Sequence, residues 1–217
     1  MEHQRSEPQS NSLFYRCARC LIVRPILDVL GDLESHGNEN IPTQGGVLLV
    51  SNHASLLDPA IIGAAVSREL HYLGEDTYFH IPGIGWLFTQ LNGIPIKREK
   101  PGWQSLKRAI SCVKMGNALL VFPEGTRSTD GTLGTVKEGA SFIIHHSNVP
   151  TIPVFLKDTG RLMPRGSKLI RPGKLYVTFG APLDFSALKR INERHELYQR
   201  ISQQIRQAIL DLQENSR

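Results

Sequence analysis

Val47-Leu48-Leu49-Val50-Ser51-Asn52-His53-Ala54-Ser55-Leu56-Leu57-Asp58-Pro59 begins as an unbroken apolar run, short enough for a strand buried on both faces. It ends on an Asp-Pro pair that reads as a helix N-cap followed by proline at the first helical position, with residues 60–66 continuing the helix. Outward from this stretch the chain alternates short strand patterns with helix-length segments. His71-Tyr72-Leu73 and Ile94-Pro95-Ile96 are strand candidates, residues 103–115 a helix, and 118–122 a second buried strand. Residues 140–146 predict a helix, 151–156 a strand, and 174–179 (KLYVTF) a final strand with clean alternation. Leu197, Ile201, Ile205, Ile209 and Leu212 mark one stripe of a C-terminal helix. This order predicts an α/β fold, a single domain with a mostly parallel sheet and helices on its faces.

Before that domain, residues 1–11 are polar and read as a disordered tail. Over residues 12–30 an amphipathic helix is expected, with Leu13, Phe14, Cys17, Cys20 and Leu21 at helical spacing and Arg16 and Arg19 between them. Such a helix either docks on the domain or lies in a lipid interface with its arginines reaching toward phosphates. No apolar run reaches the roughly 18 residues needed to span a bilayer, so contact with a membrane is expected to be peripheral or monotopic, without a transmembrane span. Residues 81–96 (IPGIGWLFTQLNGIPI) carry no charge and place Trp86, Leu87 and Phe88 at their centre, either a core helix or a patch that enters lipid.

The 217 residues hold 25 Lys and Arg against 20 Asp and Glu, and this net charge of +5 suits phosphate-bearing partners. Six cations between positions 157 and 174 (Lys157, Arg161, Arg165, Lys168, Arg171 and Lys174) stand against Asp158 alone. That segment reads as a loop or hairpin, either solvated or serving as a docking patch for anionic lipid, coenzyme A or an acidic carrier protein. Cys17-x-x-Cys20 has no second Cys or His pair at zinc spacing, so no metal site is expected. No G-x-S-x-G elbow supports a serine hydrolase, and no aromatic-and-basic signature supports nucleic-acid binding.

The chemistry gathers at three turns. On one continuous helix His53 and Asp58 would point about 140° apart, so they meet only if the chain turns between them, as a strand-to-helix turn does. The carboxylate could then fix one imidazole tautomer and leave the other nitrogen as a general base. Read alone, these two are more simply a loop histidine and a plain N-cap. A second turn, Phe122-Pro123-Glu124-Gly125-Thr126-Arg127-Ser128, supplies a carboxylate, a glycine, hydroxyls and a guanidinium, a set suited to a polyol phosphate. A third strand, Gly93-Ile94-Pro95-Ile96, ends in Lys97 and Arg98. All three lie where a parallel sheet collects ligands, beyond the carboxyl ends of strands.

With Val149-Pro150-Thr151-Ile152-Pro153-Val154 as a fourth block, the chain resembles the glycerolipid acyltransferase family, the group that includes 1-acyl-glycerol-3-phosphate acyltransferases. The resemblance covers residues 47–182 and also takes in Lys137, Gly139 and Gly180-Ala181-Pro182. It implies direct acyl transfer, without an acyl-enzyme, from acyl-CoA or acyl-carrier protein to a lysophospholipid hydroxyl at the cytoplasmic membrane face, with no cofactor. His53 and Asp58 would be catalytic. Arg98 and Arg127 would hold the acceptor phosphate and Glu124 the glycerol, with Lys97, Gly125 and Thr126 beside them. One position departs: where members acting on lysophosphatidic acid often carry a lysine, this chain has Glu75 and Asp76.

Overall fold

The computed structural model describes residues 12–97, 102–129, 132–164, 167 and 169–216. The expected tail, residues 1–11, lies outside the described residues. The chain runs α1 (Ser12–Ala18), a π-helical segment (Arg19–Val23), α2 (Arg24–Gly31), β1 (Leu33–His36), β2 (Val47–Ser51), α3 (Asp58–Ala65) and β3 (Leu70–Glu75). It continues through α4 (Asp76–Phe79), α5 (Ile84–Gln90), β4 (Gly93–Ile96), α6 (Trp103–Lys114), β5 (Ala118–Val121) and α7 (Glu138–Ser147). Then come β6 (Thr151–Lys157), α8 (Thr159–Leu162), β7 (Leu175–Phe179) and α9 (Arg194–Asn215).

Among the described residues seven strands form one sheet in the order β1-β7-β6-β2-β5-β3-β4. Every pairing is parallel except β6 with β7. Five strands therefore run one way, while β7 and β1 run back. The segment rich in cations joins β6 to β7 and so bridges an antiparallel pair, as its hairpin reading anticipates.

The apolar runs divide between two cores because successive side chains point to opposite faces. Val47 and Leu49 pack with Ile61, Ile62 and Leu70. Leu48 and Val50 pack with Ala109, Ile143, Ile201 and Ile205 on the other face. Helix α3 and the N-terminal layer thus cover one side, and α6, α7 and α9 the other. Burial on both faces explains why β2 and β5 carry no alternation.

The N-terminal layer is expected as one amphipathic helix; a π-helical segment divides it. It is held by the Arg19 guanidinium donating to the Val66 carbonyl at 2.8 Å and by the Leu70 amide donating to the Tyr15 hydroxyl at 3.1 Å. Tyr15, Ala18 and Leu27 face inward. Of the stripe from Leu13 to Leu21, Leu13, Cys17, Cys20 and Leu21 are exposed, with Ile22, Ile26 and Val29 beside them. The uncharged segment resolves the same way. Helix α5 leaves Trp86 59 % exposed, in edge contact with Phe14 at 5.3 Å, while Phe88 turns inward onto Tyr72, Tyr78 and Phe79. No helix among the described residues is long and apolar enough to cross a membrane.

Candidate active site

Strand β2 delivers Asn52 and His53 to the carboxyl edge of the sheet. Asn52 extends the β2–β6 ladder with its side chain: Nδ2 donates to the Leu156 carbonyl at 2.9 Å, and the Leu156 amide donates to Oδ1 at 2.8 Å. The chain then turns back before α3, and Asp58 closes the turn. Its Oδ2 accepts three bonds, from the Ala54 amide, the Ser55 amide and His53 Nδ1, each at 2.8 Å.

This geometry corrects the N-cap reading. Asp58 is the first residue of α3 with Pro59 second, and its carboxylate caps no helical amide but organises the turn before the helix. Asp-Pro at a helix start is a cap signal because it usually is a cap; here the two turn amides and the imidazole compete for the same oxygen and win.

The bonding also assigns the proton. An oxygen already accepting two amide N–H groups presents only lone pairs, so Nδ1 carries the hydrogen and Nε2 is the free base. His53 is further fixed by stacking on Phe122, with centroids 3.9 Å apart and planes 16° from parallel. Asp58 is fully buried, and its other oxygen, Oδ1, has no hydrogen-bond partner among the described residues.

The Phe122–Ser128 turn grips His53 from the other side. Glu124 Oε1 accepts from the His53 amide at 3.0 Å, and the Ser128 amide donates to the His53 carbonyl at 2.7 Å. Glu124 Oε2 accepts from the Gly134 amide at 2.8 Å. Both carboxylate oxygens expected to meet a glycerol are therefore already bonded to backbone. Burial raises the Glu124 pKa above the ordinary carboxylate range, while the amides of Gly134 and His53 pull it back.

His53 is a shared wall of two cavities. One, of about 270 Å³, is apolar and runs past Leu57, Ala60, Tyr72 and Phe88 to Tyr15 and Val23 of the N-terminal layer. The other, of about 90 Å³, has Lys97, Lys137, Gly125 and Glu75 in a lining that otherwise includes Leu73, Leu106 and other apolar side chains. Gly125 adopts φ +65°, and a Cβ there would stand 3.1 Å from Lys137 Nζ, so the lysine lies across the glycine. The sequence pattern placed Lys97 and Gly125 at the site and the structure brings both into this cavity. It adds Lys137, whose place before α7 was noted without a role. Glu75, at the end of β3, lines both cavities. Thr126 and Arg127 are half-buried on the Glu124 turn and line neither, and Arg98 lies outside the described residues. Among the described residues no group of three or more His, Cys, Asp or Glu could hold a metal ion.

A mostly parallel α/β sheet thus carries a carboxylate-oriented histidine at its carboxyl edge, between an apolar cavity and a smaller one that holds two lysines. The acyltransferase family model matches residues 32–157, and the chain belongs to that family. The chloroplast 1-acyl-sn-glycerol-3-phosphate acyltransferase of Brassica napus is 37 % identical over 151 residues, 68 % of this chain and 44 % of its own. The match thus spans under half the length of that plant relative. The 1-acyl-sn-glycerol-3-phosphate acyltransferase of Bacillus subtilis is 27 % identical over 195 residues, 88 % of this chain and 94 % of its own. The crystal structure of the 1-acyl-sn-glycerophosphate acyltransferase PlsC from Thermotoga maritima superposes with a TM-score of 0.67 at 28 % identity, covering 91 % of this chain and 82 % of that one.

Proposed function

We propose that the protein transfers a fatty acyl group from a thioester to the free hydroxyl of 1-acyl-glycerol-3-phosphate, giving phosphatidic acid. The observation that carries this is the position of His53, a fixed base between an apolar cavity for an acyl chain and a lysine-lined cavity for a phosphate. Nε2 takes the proton as the acceptor oxygen bonds to the thioester carbonyl carbon. The tetrahedral intermediate expels the thiolate, and the imidazolium, stabilised by Asp58, returns its proton to the thiolate or to water. Lys97 and Lys137 hold the acceptor phosphate, joined by Arg98, the next residue after Lys97 in the chain.

The exposed apolar face of α1, the π-helical segment and α2, together with Trp86, seats the protein on the cytoplasmic surface of a membrane without crossing it. There the apolar cavity, lined partly by Tyr15, Arg19 and Val23 of the N-terminal layer, lies next to the lipid that supplies the acceptor. A donor carried by coenzyme A or acyl-carrier protein arrives from the water side.

Glu75 favours a second reading on the acceptor alone. A carboxylate beside the phosphate cavity opposes a dianionic phosphomonoester and is better tolerated by a lysophospholipid whose phosphate carries a further substituent. Radiolabelled acyl-CoA and acyl-carrier protein, each offered with a panel of lysolipids, test both readings. Phosphatidic acid as the main product supports the first. Preferential acylation of lysophosphodiesters moves the assignment to the second, and absence of any acylated product rejects the enzyme.

A further inference from the structure

A third hollow, of about 1030 Å³, lies at the same edge of the sheet, beyond the ends of β2 and β6 and the start of β7. Its inner wall is the back of the catalytic turn, Asn52 and Ala54, with Ser128 beside them. Among the described residues its charged lining is four cations, Lys157, Arg161, Arg171 and Lys174, against Asp158. Lys157 is engaged, donating to the Ser216 carbonyl at 2.7 Å, and Arg161 pairs with Asp158 at 3.4 Å. The side chains of Arg171 and Lys174 have neither a hydrogen-bond nor an ion-pair partner among the described residues. In the wall, Thr159 is 1 % exposed and its hydroxyl has no hydrogen-bond partner. The outer rim is fastened, with the Arg171 amide donating to the Leu162 carbonyl and the Gly173 amide to the Leu30 carbonyl, both at 2.8 Å.

We infer that this groove binds the phosphates of coenzyme A, holding the donor's nucleotide end while its acyl chain occupies the apolar cavity. The assignment rests on the acyl-transfer reading and adds where the leaving group sits. The other two cavities cannot hold it: one is apolar at about 270 Å³, and the other, at about 90 Å³, has room for little more than a phosphate. A polyanionic carrier needs a large cationic hollow within reach of the thioester, and the groove shares the His53 turn as its wall. Two uncommitted cations suit phosphate oxygens, and the Thr159 hydroxyl suits a ligand that enters a concavity rather than a protein surface laid across the rim.

Calorimetric titration of the full chain with coenzyme A tests this without requiring turnover. The Arg171→Ala, Lys174→Ala double variant should keep its melting temperature and bind at least tenfold more weakly. Removing the 3′-phosphate from the ligand should matter less to the variant than to the wild type. In steady state the variant should raise KM for acyl-CoA by a similar factor and leave KM for the acceptor unchanged. Thr159→Val should weaken binding a few-fold in the same direction. Unchanged affinity in the double variant overturns the assignment. So does tight binding of acyl-carrier protein, lost in that variant, with no binding of coenzyme A. A wild type that makes no acylated product removes the transferase reading, and the titration still decides the groove.

Discussion

The catalytic turn and the N-terminal helical layer are opposite solutions to burial. Between Asn52 and Asp58 the side chains of Asn52, His53 and Asp58 and the amides of residues 53–55 are bonded inside the protein. From Ser12 to Gly31 the layer is tied down by few polar bonds and leaves Leu21 73 % and Val29 85 % exposed. The turn is determined from within, whereas the layer leaves apolar side chains exposed among the described residues, on the face proposed to meet lipid. Changes in the first should alter rate and leave membrane partition alone, and changes in the second should do the reverse.

The largest effect is expected for His53→Ala. Removing a positioned base costs about 10²–10⁴ in rate, so turnover should fall by about three decades at unchanged partition. Glu124→Gln comes next. A glutamine has one acceptor oxygen for two amides, so either the His53 or the Gly134 N–H loses its bond, at roughly 1–3 kcal/mol. If Glu124 mainly holds the turn, kcat should drop about tenfold while KM for the acceptor stays put; a raised KM with normal kcat would return it to glycerol binding. The stability sign can be stated. The folded-state pKa of Glu124 is raised, so the native state binds more protons, and stability should decline as pH rises from the ordinary carboxylate range through the raised value. The glutamine variant should lack that step in its melting profile.

Breaking the other side of the comparison, Ile22→Asp with Val29→Asp should release the protein from anionic vesicles in sedimentation. Its melting temperature should stay within a few degrees, and its rate on detergent-dispersed substrate should be near normal. Loss of folding would mean that the exposed face packs within the chain. The smallest effect is expected at Glu75→Gln, a few-fold lower KM for 1-acyl-glycerol-3-phosphate, since it removes one like charge near the phosphate cavity.

Much of this was legible in the sequence because continuous apolar runs are what a doubly covered parallel sheet demands. The four motifs then fall at the ends of β2, β4 and β5 and along β6, where the alternation put them. Strand β1 was missed: Leu33-Glu34-Ser35-His36 has a single apolar side chain, and pairing with β7 at the sheet edge defines it. The π-helical break leaves no mark in a helical period. Glu124 was assigned to substrate because chain order cannot reveal that the His53 and Gly134 amides arrive at its oxygens. Lys137 carried no site signal beyond its place before α7, and only the approach to Gly125 shows that it shares the cavity with Lys97.

The Asp58→Asn variant tests the central claim most directly, and the structure sharpens what it should do. Two turn amides demand an acceptor at the Oδ2 position, so the asparagine oxygen goes there and its NH2 takes the place of Oδ1. The turn and the tautomer are then preserved, and only the negative charge that stabilises the imidazolium is lost. Measured as single-turnover acyl transfer from acyl-CoA, the rate should fall about 10²-fold, or about 2.7 kcal/mol of transition-state stabilisation, with little change in melting temperature. The His53→Ala, Asp58→Asn double variant should be no slower than His53→Ala alone, because the pair acts as one unit. A stable Asp58→Asn protein with near-normal turnover would reduce Asp58 to a fastener of the turn and contradict the general-base pair.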